Sequence, residues 1–295
     1  MYKKIFLTAI TLLLLQCKGN NKLVIIEVPR SLASLPVLAL DHQQFGDKKI
    51  VVRFFSDHLA ALSGMAAGQT DFVLTGPQLG ISFAGRNPDV VHLATPVWGD
   101  TSVITRLDID NITGLEGKKI TLPFENSPVD MQMRRIFKHY KMNGVKIDYM
   151  PFNKAIELME EEKTDAVCLP EPVATKLVRE GKFKRLALLA DEWEKATGQK
   201  AAPELSLFSR RSFLEKNPDA VIDIIKALKR NTGNSAKLAE KHHKDFGIES
   251  DILREAAGNI IFLLPGRNET IRLHNRHLDL TAGKQAPDSF YYKYE

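Results

Sequence analysis

Residues Ala61–Gly80 read ALSGMAAGQTDFVLTGPQLG, and this stretch indicates the fold class. Its first part has a helical pattern that ends at Gly68, and Phe72–Thr75 is a short apolar run of strand composition. A second helical stretch, Pro77–Ala84, begins with proline, which is favoured at the first position of a helix. A helix, a tight turn, a buried strand and another helix in succession are typical of an α/β protein.

The same alternation continues on both sides of this stretch. We predict strands at Leu23–Val28, Ile50–Phe55 and Val90–Thr95 and helices at Leu35–Phe45 and Leu59–Ala67. Strands that alternate with helices in this way form parallel sheets whose two faces are both covered. We therefore expect a parallel sheet in the first part of the chain.

A second α/β unit follows the first. Its predicted strands are Ser102–Thr105, Lys119–Leu122, Ile147–Met150, Ala166–Leu169 and Lys184–Leu189, and its predicted helices are Pro128–His139, Lys154–Glu162 and Val173–Glu180. Beyond it we predict a strand at Leu205–Ser209 and helices at Ser212–Lys216, Ala220–His243 and Ser250–Ile261. The chain crosses near Trp98–Arg106 and returns near Ala201–Phe208, which predicts an α/β fold of two lobes with a ligand cleft between them. Residues 23–100 with 201–295 would form the first lobe and residues 101–200 the second.

The first sixteen residues have the features of an export signal. Lys3 and Lys4 precede the apolar run Ile5–Leu15. A helix of about eleven residues rises only about 16 Å, which is too short to cross a hydrocarbon core of about 30 Å. A buried N-terminal helix is the alternative interpretation. We predict a signal peptide at residues 1–16, a tether at residues 17–22 and an exported protein, in the periplasm or at the cell surface.

Charge and motif content exclude several classes of function. The net charge is +5 and falls to +3 without Lys3 and Lys4, which does not indicate a nucleic-acid partner. Cys168 lies in the apolar run AVCL, so we expect a buried thiol. His274 and His277 supply two metal ligands at most, and the sequence has no GxSxG, HExxH, P-loop or GxGxxG motif. We therefore predict a protein that is not an enzyme, with no catalytic residues, cofactor or metal.

Polar residues and helix starts follow the predicted strands. Ligands of open α/β sheets bind beyond the carboxyl ends of the strands, and helix N-termini attract anions and hydrogen-bond acceptors. We therefore predict that the ligand lies against Arg30, Ser34, Ser56, Asp57, Thr75, Gly76, Glu125, Asn126, Ser127 and Glu171. Helix capping or surface exposure is the alternative role for each residue. Arg30 would suit a carboxylate, sulfonate or phosphate, whereas Glu171 with the rings of Phe124 and Trp98 would suit a flat, amine-bearing solute.

Four segments resemble the solute-binding proteins of taurine, nitrate and aliphatic-sulfonate ABC transporters, a group that includes binders of thiamine-pyrimidine precursors. They are Ala61–Gly80, Gly114–Asp130 (GLEGKKITLPFENSPVD), Ala155–Pro172 (AIELMEEEKTDAVCLPEP) and Phe213–Val221 (FLEKNPDAV). They occur in the family's order, and the likeness covers most of Leu23–Lys244. The first helix is shorter than the family's usual one, and the C-terminal end shows no clear likeness.

The N-terminus carries a separate resemblance. Leu14-Leu15-Gln16-Cys17 is similar to a bacterial lipobox, in which the cysteine is diacylated and becomes the first mature residue. Gln16 departs from this pattern, because small residues are favoured there, and ordinary secretion is the alternative. The resemblance implies that Cys17 carries a lipid anchor that attaches the protein to the membrane.

The family resemblance implies a type II periplasmic-binding-protein architecture. Its lobes would capture a small organic or anionic solute by hinge closure and deliver it to an ABC permease and ATPase. Asp71 and Asp165 each precede a strand, and we expect them to fix turns without touching the ligand. Two alternatives remain open: an enzyme on the same fold, of the menaquinone or thiamine-pyrimidine biosynthesis type, and a surface sensor lipoprotein.

Overall fold

The computed structural model describes residues 22–281 and 283–294, which form two β-sheets and twelve α-helices. The predicted signal peptide, Cys17 and nearly all of the predicted tether lie outside these residues. The helices are, in chain order, α1 (Leu35–Leu38), α2 (His58–Ala66), α3 (Pro77–Ala84), α4 (Pro128–His139), α5 (Phe152–Glu160), α6 (Val173–Arg179), α7 (Leu189–Thr197), α8 (Arg211–Lys216), α9 (Pro218–Thr232), α10 (Ser235–Phe246), α11 (Ser250–Gly258) and α12 (Arg267–Leu280).

The first sheet is built from both ends of the chain. Its strands are β1 (Lys22–Pro29), β2 (Gln44–Phe45), β3 (Lys48–Phe55), β4 (Phe72–Thr75), β5 (Val90–Val97) and β11 (Leu205–Arg210), in the order β2-β3-β1-β4-β11-β5. Strand β1 pairs in parallel with β3 and β4, whereas β11 enters antiparallel between β4 and β5. The expected parallel sheet is therefore wrong in this detail, because a strand that returns from the other sheet runs in the opposite direction.

The second sheet repeats this arrangement. Its strands are β6 (Thr101–Thr105), β7 (Lys119–Leu122), β8 (Lys146–Tyr149), β9 (Ala166–Pro170) and β10 (Lys184–Leu188), in the order β10-β6-β9-β7-β8. Strand β7 lies parallel between β8 and β9, and β6 is antiparallel to both β9 and β10. Each sheet thus has one antiparallel strand that the chain enters after leaving the other sheet.

Two predicted helices are shorter in the structure. Instead of a helix at Leu35–Phe45, helix α1 ends at Leu38, because the Asp41 carboxylate accepts the backbone N–H of Val52 and draws the chain into a turn. The predicted helix at Ala220–His243 is divided between α9 and α10. At this break, Asn231 donates its side-chain N–H to the carbonyl of Pro36, and Asn234 caps the preceding turn through the carbonyl of Arg230.

Two helices were not predicted. Helix α7 immediately follows strand β10, and α12 lies in the C-terminal region, where only the spacing of His274 and His277 indicated a helical face. Both histidines are buried on α12, and Cys168 is buried in β9 as expected.

Asp71 and Asp165 anchor equivalent positions of the two sheets. In the first sheet, Asp71 Oδ2 accepts the backbone N–H of Ile25 in β1 at 2.9 Å, and Arg210 of β11 donates to Oδ1 at 3.3 Å. In the second sheet, Asp165 accepts the backbone N–H of Lys119 at 3.0 Å and a side-chain N–H of Arg106 at 2.8 Å. We expected the two carboxylates to fix turns; in the structure each also joins neighbouring strands of its sheet.

A buried polar network joins the C-terminal region to the first sheet. The Thr95 hydroxyl lies 2.8 Å from His92 Nε2, 2.9 Å from His274 Nε2 and 2.8 Å from the Ser206 hydroxyl. Tyr291 lies against both imidazoles. His277 lies further along α12, where its ring packs against Trp193 of α7. The network connects β5, β11 and α12 at the point where the two lobes meet.

Burial keeps these histidines neutral. It lowers the pKa of His92 to about 3 and that of His277 to about 4, and it holds the pKa of His274 well below its ordinary value. Because an unfolded histidine takes up a proton below about pH 6.5 and a buried one does not, stability is retained above that pH and lost as the pH falls towards 4.

We expect His92 and His277 each to reduce the free energy of unfolding by about 2 kcal/mol between pH 7.5 and pH 5. Urea unfolding of residues 22–295 across this range, followed by circular dichroism, measures the loss. His277→Gln should make the pH dependence shallower, whereas the exposed control His139→Gln should leave it unchanged. Equal pH dependence in His277→Gln and the parent would contradict the assignment.

Candidate functional site

Two chain segments connect the sheets, and each carries a carboxylic acid. Asp100 lies between β5 and β6, and Glu204 lies just before β11. The backbone N–H of Glu204 donates to the carbonyl of Val97 at 3.0 Å, which ties the two segments together. Gln132 of α4, in the second lobe, donates to Glu204 Oε1 at 3.2 Å. We call these residues, which lie where the two sheets are joined, the cleft floor, because a two-lobe fold has its cleft at this place.

The two acids on the cleft floor have raised pKa values. Burial, together with the charge of Glu171, raises the pKa of Asp100 to about 6. Burial and the charge of Asp100 raise the pKa of Glu204 to about 8. Neither carboxyl group forms an ion pair with any residue in the described ranges. At neutral pH the Glu204 carboxyl group therefore holds a proton that a bound cation could displace, whereas Asp100 is mostly ionised.

Glu171, predicted as a ligand residue, is enclosed by its own lobe. Its side chain is fully buried and accepts hydrogen bonds from Arg185 Nη2 at 2.7 Å, Ser102 Oγ at 3.2 Å and the backbone N–H of Thr175 at 3.1 Å. The Arg185 guanidinium also donates to the Thr175 hydroxyl. The charge of Glu171 is thus compensated inside the second lobe.

In the first lobe, the predicted residues have different surroundings. Ser34 is buried and donates its hydroxyl to the carbonyl of Pro29 at 2.7 Å. Thr75 is buried at the end of β4, where its hydroxyl lies 2.7 Å from His58 Nδ1. Gly76 is the N-cap of α3 and lies near the carbonyl of Glu204, so Thr75 and Gly76 are placed beside the cleft floor.

The remaining first-lobe candidates are exposed. Asp57 caps helix α2 by accepting the backbone N–H of Ala60 at 2.7 Å, and Ser56 precedes it on the surface. Arg30 stacks over the ring of Phe54, with its guanidinium carbon 4.4 Å from the ring centroid, and donates to the carbonyl of Asp245. The structure therefore holds the Arg30 charge against α10.

In the second lobe, the predicted loop follows β7. Ser127 is buried and caps α4 by accepting the backbone N–H of Asp130 at 3.1 Å. Asn126 has a positive φ of 59° and donates its backbone N–H to the Asp130 carboxylate. Glu125 is exposed beside them. The loop thus presents an ordered helix N-terminus at the carboxyl edge of the sheet.

Exposed apolar side chains surround the carboxyl ends of the strands. Phe124 follows β7 and is 60% exposed, Met150 and Phe152 follow β8, and Val173 begins α6. Leu59, 54% exposed, takes the corresponding position in the first lobe, at the start of α2. Trp98, in contrast, is buried with Ala190 and Ala201, and its indole N–H is bonded to the carbonyls of Thr95 and Leu263. Phe124 is therefore an accessible aromatic surface at the cleft edge, and Trp98 is part of the core.

Sequence reasoning missed Asp100, Glu204, Gln132 and His58. The crossing segments were located near Trp98–Arg106 and Ala201–Phe208, but their acids were not identified as site residues. Since both segments must lie at the cleft floor in a two-lobe fold, an acid in each one was the available signal. For Gln132 and His58 the sequence offers no comparable signal.

Metal and membrane sites were also sought among the described residues. Across residues 22–281 and 283–294, no group of three or more His, Cys, Asp or Glu side chains is arranged to hold a metal ion. In those same ranges no helix has the length and apolar character required to cross a bilayer.

The Arg185–Glu171 pair provides a test of the second lobe. Removing the guanidinium in Arg185→Met leaves the buried Glu171 carboxylate uncompensated, which should destabilise the protein by about 3–5 kcal/mol. Chemical denaturation measures the change. Arg254→Met, which breaks the exposed Arg254–Glu240 pair, is the matched control and should cost less than about 1 kcal/mol. Similar costs for both variants would contradict this interpretation of Glu171.

The raised pKa of Glu204 predicts a pH-dependent stabilisation by Glu204→Gln. Between about pH 4.5 and 8 the unfolded chain loses this proton while the folded protein keeps it, so the free energy of unfolding falls as the pH rises. Because glutamine cannot ionise, Glu204→Gln should stabilise the ligand-free protein by about 4 kcal/mol at pH 8 and have little effect at pH 4.5. Melting temperatures at both pH values measure the difference. In the exposed control Glu125→Gln, the change in melting temperature should be similar at both pH values. A change that is also similar at both pH values in Glu204→Gln would refute the assignment.

Comparison with solved structures confirms the fold class. The chain is similar to the ligand-binding component of an ABC-type import system from Staphylococcus aureus, solved with zinc bound (TM-score 0.72, 12% identity, 92% of this chain and 96% of that one). It is also similar to the aliphatic sulphonate binding protein SsuA of Escherichia coli (TM-score 0.70, 15% identity, 88% and 87%) and to an ABC transporter protein from Parabacteroides distasonis (TM-score 0.74, 12% identity, 92% and 99%). At these identities the likeness concerns the fold, a two-lobe type II periplasmic-binding-protein architecture.

Sequence comparison assigns the family. A search of curated proteins finds no significant match. The model of the NMT1-like family matches residues 55–244, which include the second sheet and the segments Ala61–Gly80, Gly114–Asp130, Ala155–Pro172 and Phe213–Val221. Because this match spans more than half of the sequence, the chain belongs to the NMT1-like family.

Proposed function

We propose that this chain is the extracytoplasmic solute-binding component of an ABC importer, which captures a small organic solute by hinge closure. The solute would then pass to the permease and ATPase subunits of the importer. The proposal rests on one observation. Asp100 and Glu204 lie on the two segments that join the sheets, and neither carboxyl group has a cationic partner among the described residues. The family assignment and the fold of the similar ABC transport proteins support it.

The joints between the lobes suit hinge motion. The first lobe in this proposal comprises residues 23–100 and 201–295, and the second comprises residues 101–200. Beyond the connecting segments, α6 of the second lobe meets α11 of the first through Arg179, which pairs with Asp251 and Glu255, and through a hydrogen bond from Asn259 to Thr175. Exposed ion pairs contribute little stability, so they can separate when the lobes part.

The charges at the cleft favour a solute with a basic nitrogen. Asp100 and Glu204 lie on the floor without a cationic partner among the described residues, whereas the Arg30 guanidinium is held over Phe54. A cationic group of the solute between the two carboxyl groups would offset the unfavourable free energy of keeping their negative charges buried. The exposed ring of Phe124 could then cover an apolar or aromatic part of the solute when the lobes close.

Several residues predicted from the sequence fit the walls of this site. We place Thr75 and Gly76 of the first lobe and Ser127 of the second in contact with the solute. The other predicted residues would lie further from the solute, towards the cleft entrance: Ser34, Ser56, Asp57, Glu125 and Asn126. Glu171 and Arg30 keep the internal contacts described above. An anionic solute at the helix N-termini is the competing class, which the binding experiment separates from a cationic one.

The solute is identified most directly from protein purified from its native host. We expect native mass spectrometry, followed by denaturation and mass analysis, to release a small organic compound with a basic nitrogen. A thermal-shift panel of amines, aminopyrimidines, sulfonates and nitrate then tests the class. Glu204→Gln should weaken binding of a basic solute by about 10- to 100-fold at pH 7, since a charge-assisted contact is lost.

Glu125→Gln, on the exposed loop at the cleft edge, is the control and should bind within about threefold of the parent. Stabilisation by sulfonates or nitrate alone, unaffected by Glu204→Gln, would reject the basic solute but retain a binding protein. Turnover of a compound by purified protein would reject the transport role. Fluorescence energy transfer between one dye in each lobe should increase on binding, as hinge closure requires.

The N-terminal assignment belongs to the same proposal. We infer that residues 1–16 direct export and that Cys17 carries a lipid that holds the protein at the membrane, with Lys18–Asn21 as tether. Expression of the full-length chain in a bacterial host should place the parent in the membrane fraction. Cys17→Ser should move it to the periplasmic or culture fraction, and an unchanged distribution would argue against lipidation.

A further inference from the structure

A cavity of about 600 Å³ lies along helix α3 in the first lobe. Its lining comes from α3 (Ile81, Ala84), from β5 (Val91), from α12 (Leu278) and from the C-terminal segment (Phe290). Neither acid of the cleft floor is among the residues that line it, so it is distinct from the cleft. Its volume and apolar walls are within the range of small-molecule sites.

The charged residues of this cavity all have the same sign. Arg211 and Lys284 line it, and none of the described residues that line it is acidic. Arg211 donates to the carbonyl of Ser289, which holds the guanidinium beside the C-terminal segment. The nearby Asp89 carboxylate is engaged by the backbone N–H and hydroxyl of Ser212. The positive charge of the lining is therefore suited to an anionic group.

The cavity is elongated along α3. Gln78 lines it at the first turn of the helix, whereas the backbone of Arg211 is bonded to Asp89, beyond the last turn. Helix α3 has eight residues, which corresponds to a length of about 12 Å. Gln78 Oε1 is buried, with no hydrogen-bond partner among the described residues. A largely apolar lining of this length that also carries two cationic side chains suits a chain-like amphiphile with one anionic group.

We propose that this cavity binds a single-chain anionic amphiphile, specifically an alkyl carboxylate of medium length. The alkyl chain lies against Ile81, Ala84, Leu278 and Phe290, and the carboxylate pairs with the ammonium group of Lys284. This site is independent of the cleft and of the solute proposed there. Apolar area supplies the affinity, and the charge–charge contact fixes the direction in which the chain enters.

Isothermal titration of residues 22–295 with octanoate, decanoate and dodecanoate tests the proposal. We expect affinity to rise about fourfold for each added methylene until the cavity is filled. Decanol should bind more weakly than decanoate because it lacks the negative charge. Lys284→Met should weaken decanoate binding by about three- to tenfold and have little effect on decanol, and Ala84→Trp, which fills the cavity, should abolish binding of both.

Matched controls carry the same changes elsewhere on the surface. Lys229→Met on α9 and Ala236→Trp on α10 replace exposed residues outside the cavity and should bind decanoate like the parent. Absence of decanoate binding to the parent, or undiminished binding to Ala84→Trp, would overturn the proposal. Equal binding of decanol and decanoate, with no effect of Lys284→Met, would overturn the assignment of the anionic group.

Discussion

The two lobes depend on the same carboxylate contact, made once by Asp71 and once by Asp165. Each aspartate accepts a backbone N–H from the adjacent parallel strand, β1 or β7, and a side-chain N–H from an arginine at the end of the antiparallel strand on its other side. The residue before each aspartate is a threonine whose hydroxyl donates to the same parallel strand. A hydroxyl of the antiparallel strand, from Ser209 or Thr105, donates to the aspartate carbonyl at 2.8 Å in each lobe. Three strands are thereby fixed in register at one edge of each sheet.

This contact determines where the cleft lies. Holding the amino ends of the parallel strands in register aligns their carboxyl ends at the opposite edge, where the polar loops and helix N-termini follow. The arginines of the contact, Arg210 and Arg106, end the antiparallel strands that arrive from the other lobe. The segments leading into those strands must therefore cross between the lobes, and they bring Asp100 and Glu204 to a common floor. The position of the acids is a consequence of strand order more than of local sequence.

The sequence predicts the local elements well and the long-range contacts poorly. Short apolar runs bounded by turn residues are sufficient to locate most strands, and the two-lobe division follows from their order. Helix α1 ends early because Asp41 bonds to Val52 across a hairpin. Helix propensity reflects neighbouring residues in the sequence, so it does not predict a contact with Val52. Glu171 was expected to face a ligand because it follows a strand; in the structure it pairs with Arg185 of β10, which lies two strands away in the sheet. The charge available to a ligand depends on such pairings, which only the folded chain determines.

Glu171 and the two acids of the cleft floor differ in whether a cationic side chain compensates their charge. The buried Glu171 carboxylate has an arginine and two further hydrogen-bond donors, so its charge is compensated within the second lobe, and removing one partner would be costly. No cationic side chain among the described residues compensates Asp100 or Glu204. Burial therefore raises the pKa of both carboxyl groups. A protein selected for stability alone would replace one of them, because neutral side chains of the same size avoid that cost. Two buried acids without a cationic partner make the ligand-free protein less stable, and at the proposed site a cationic solute would recover that free energy as binding affinity.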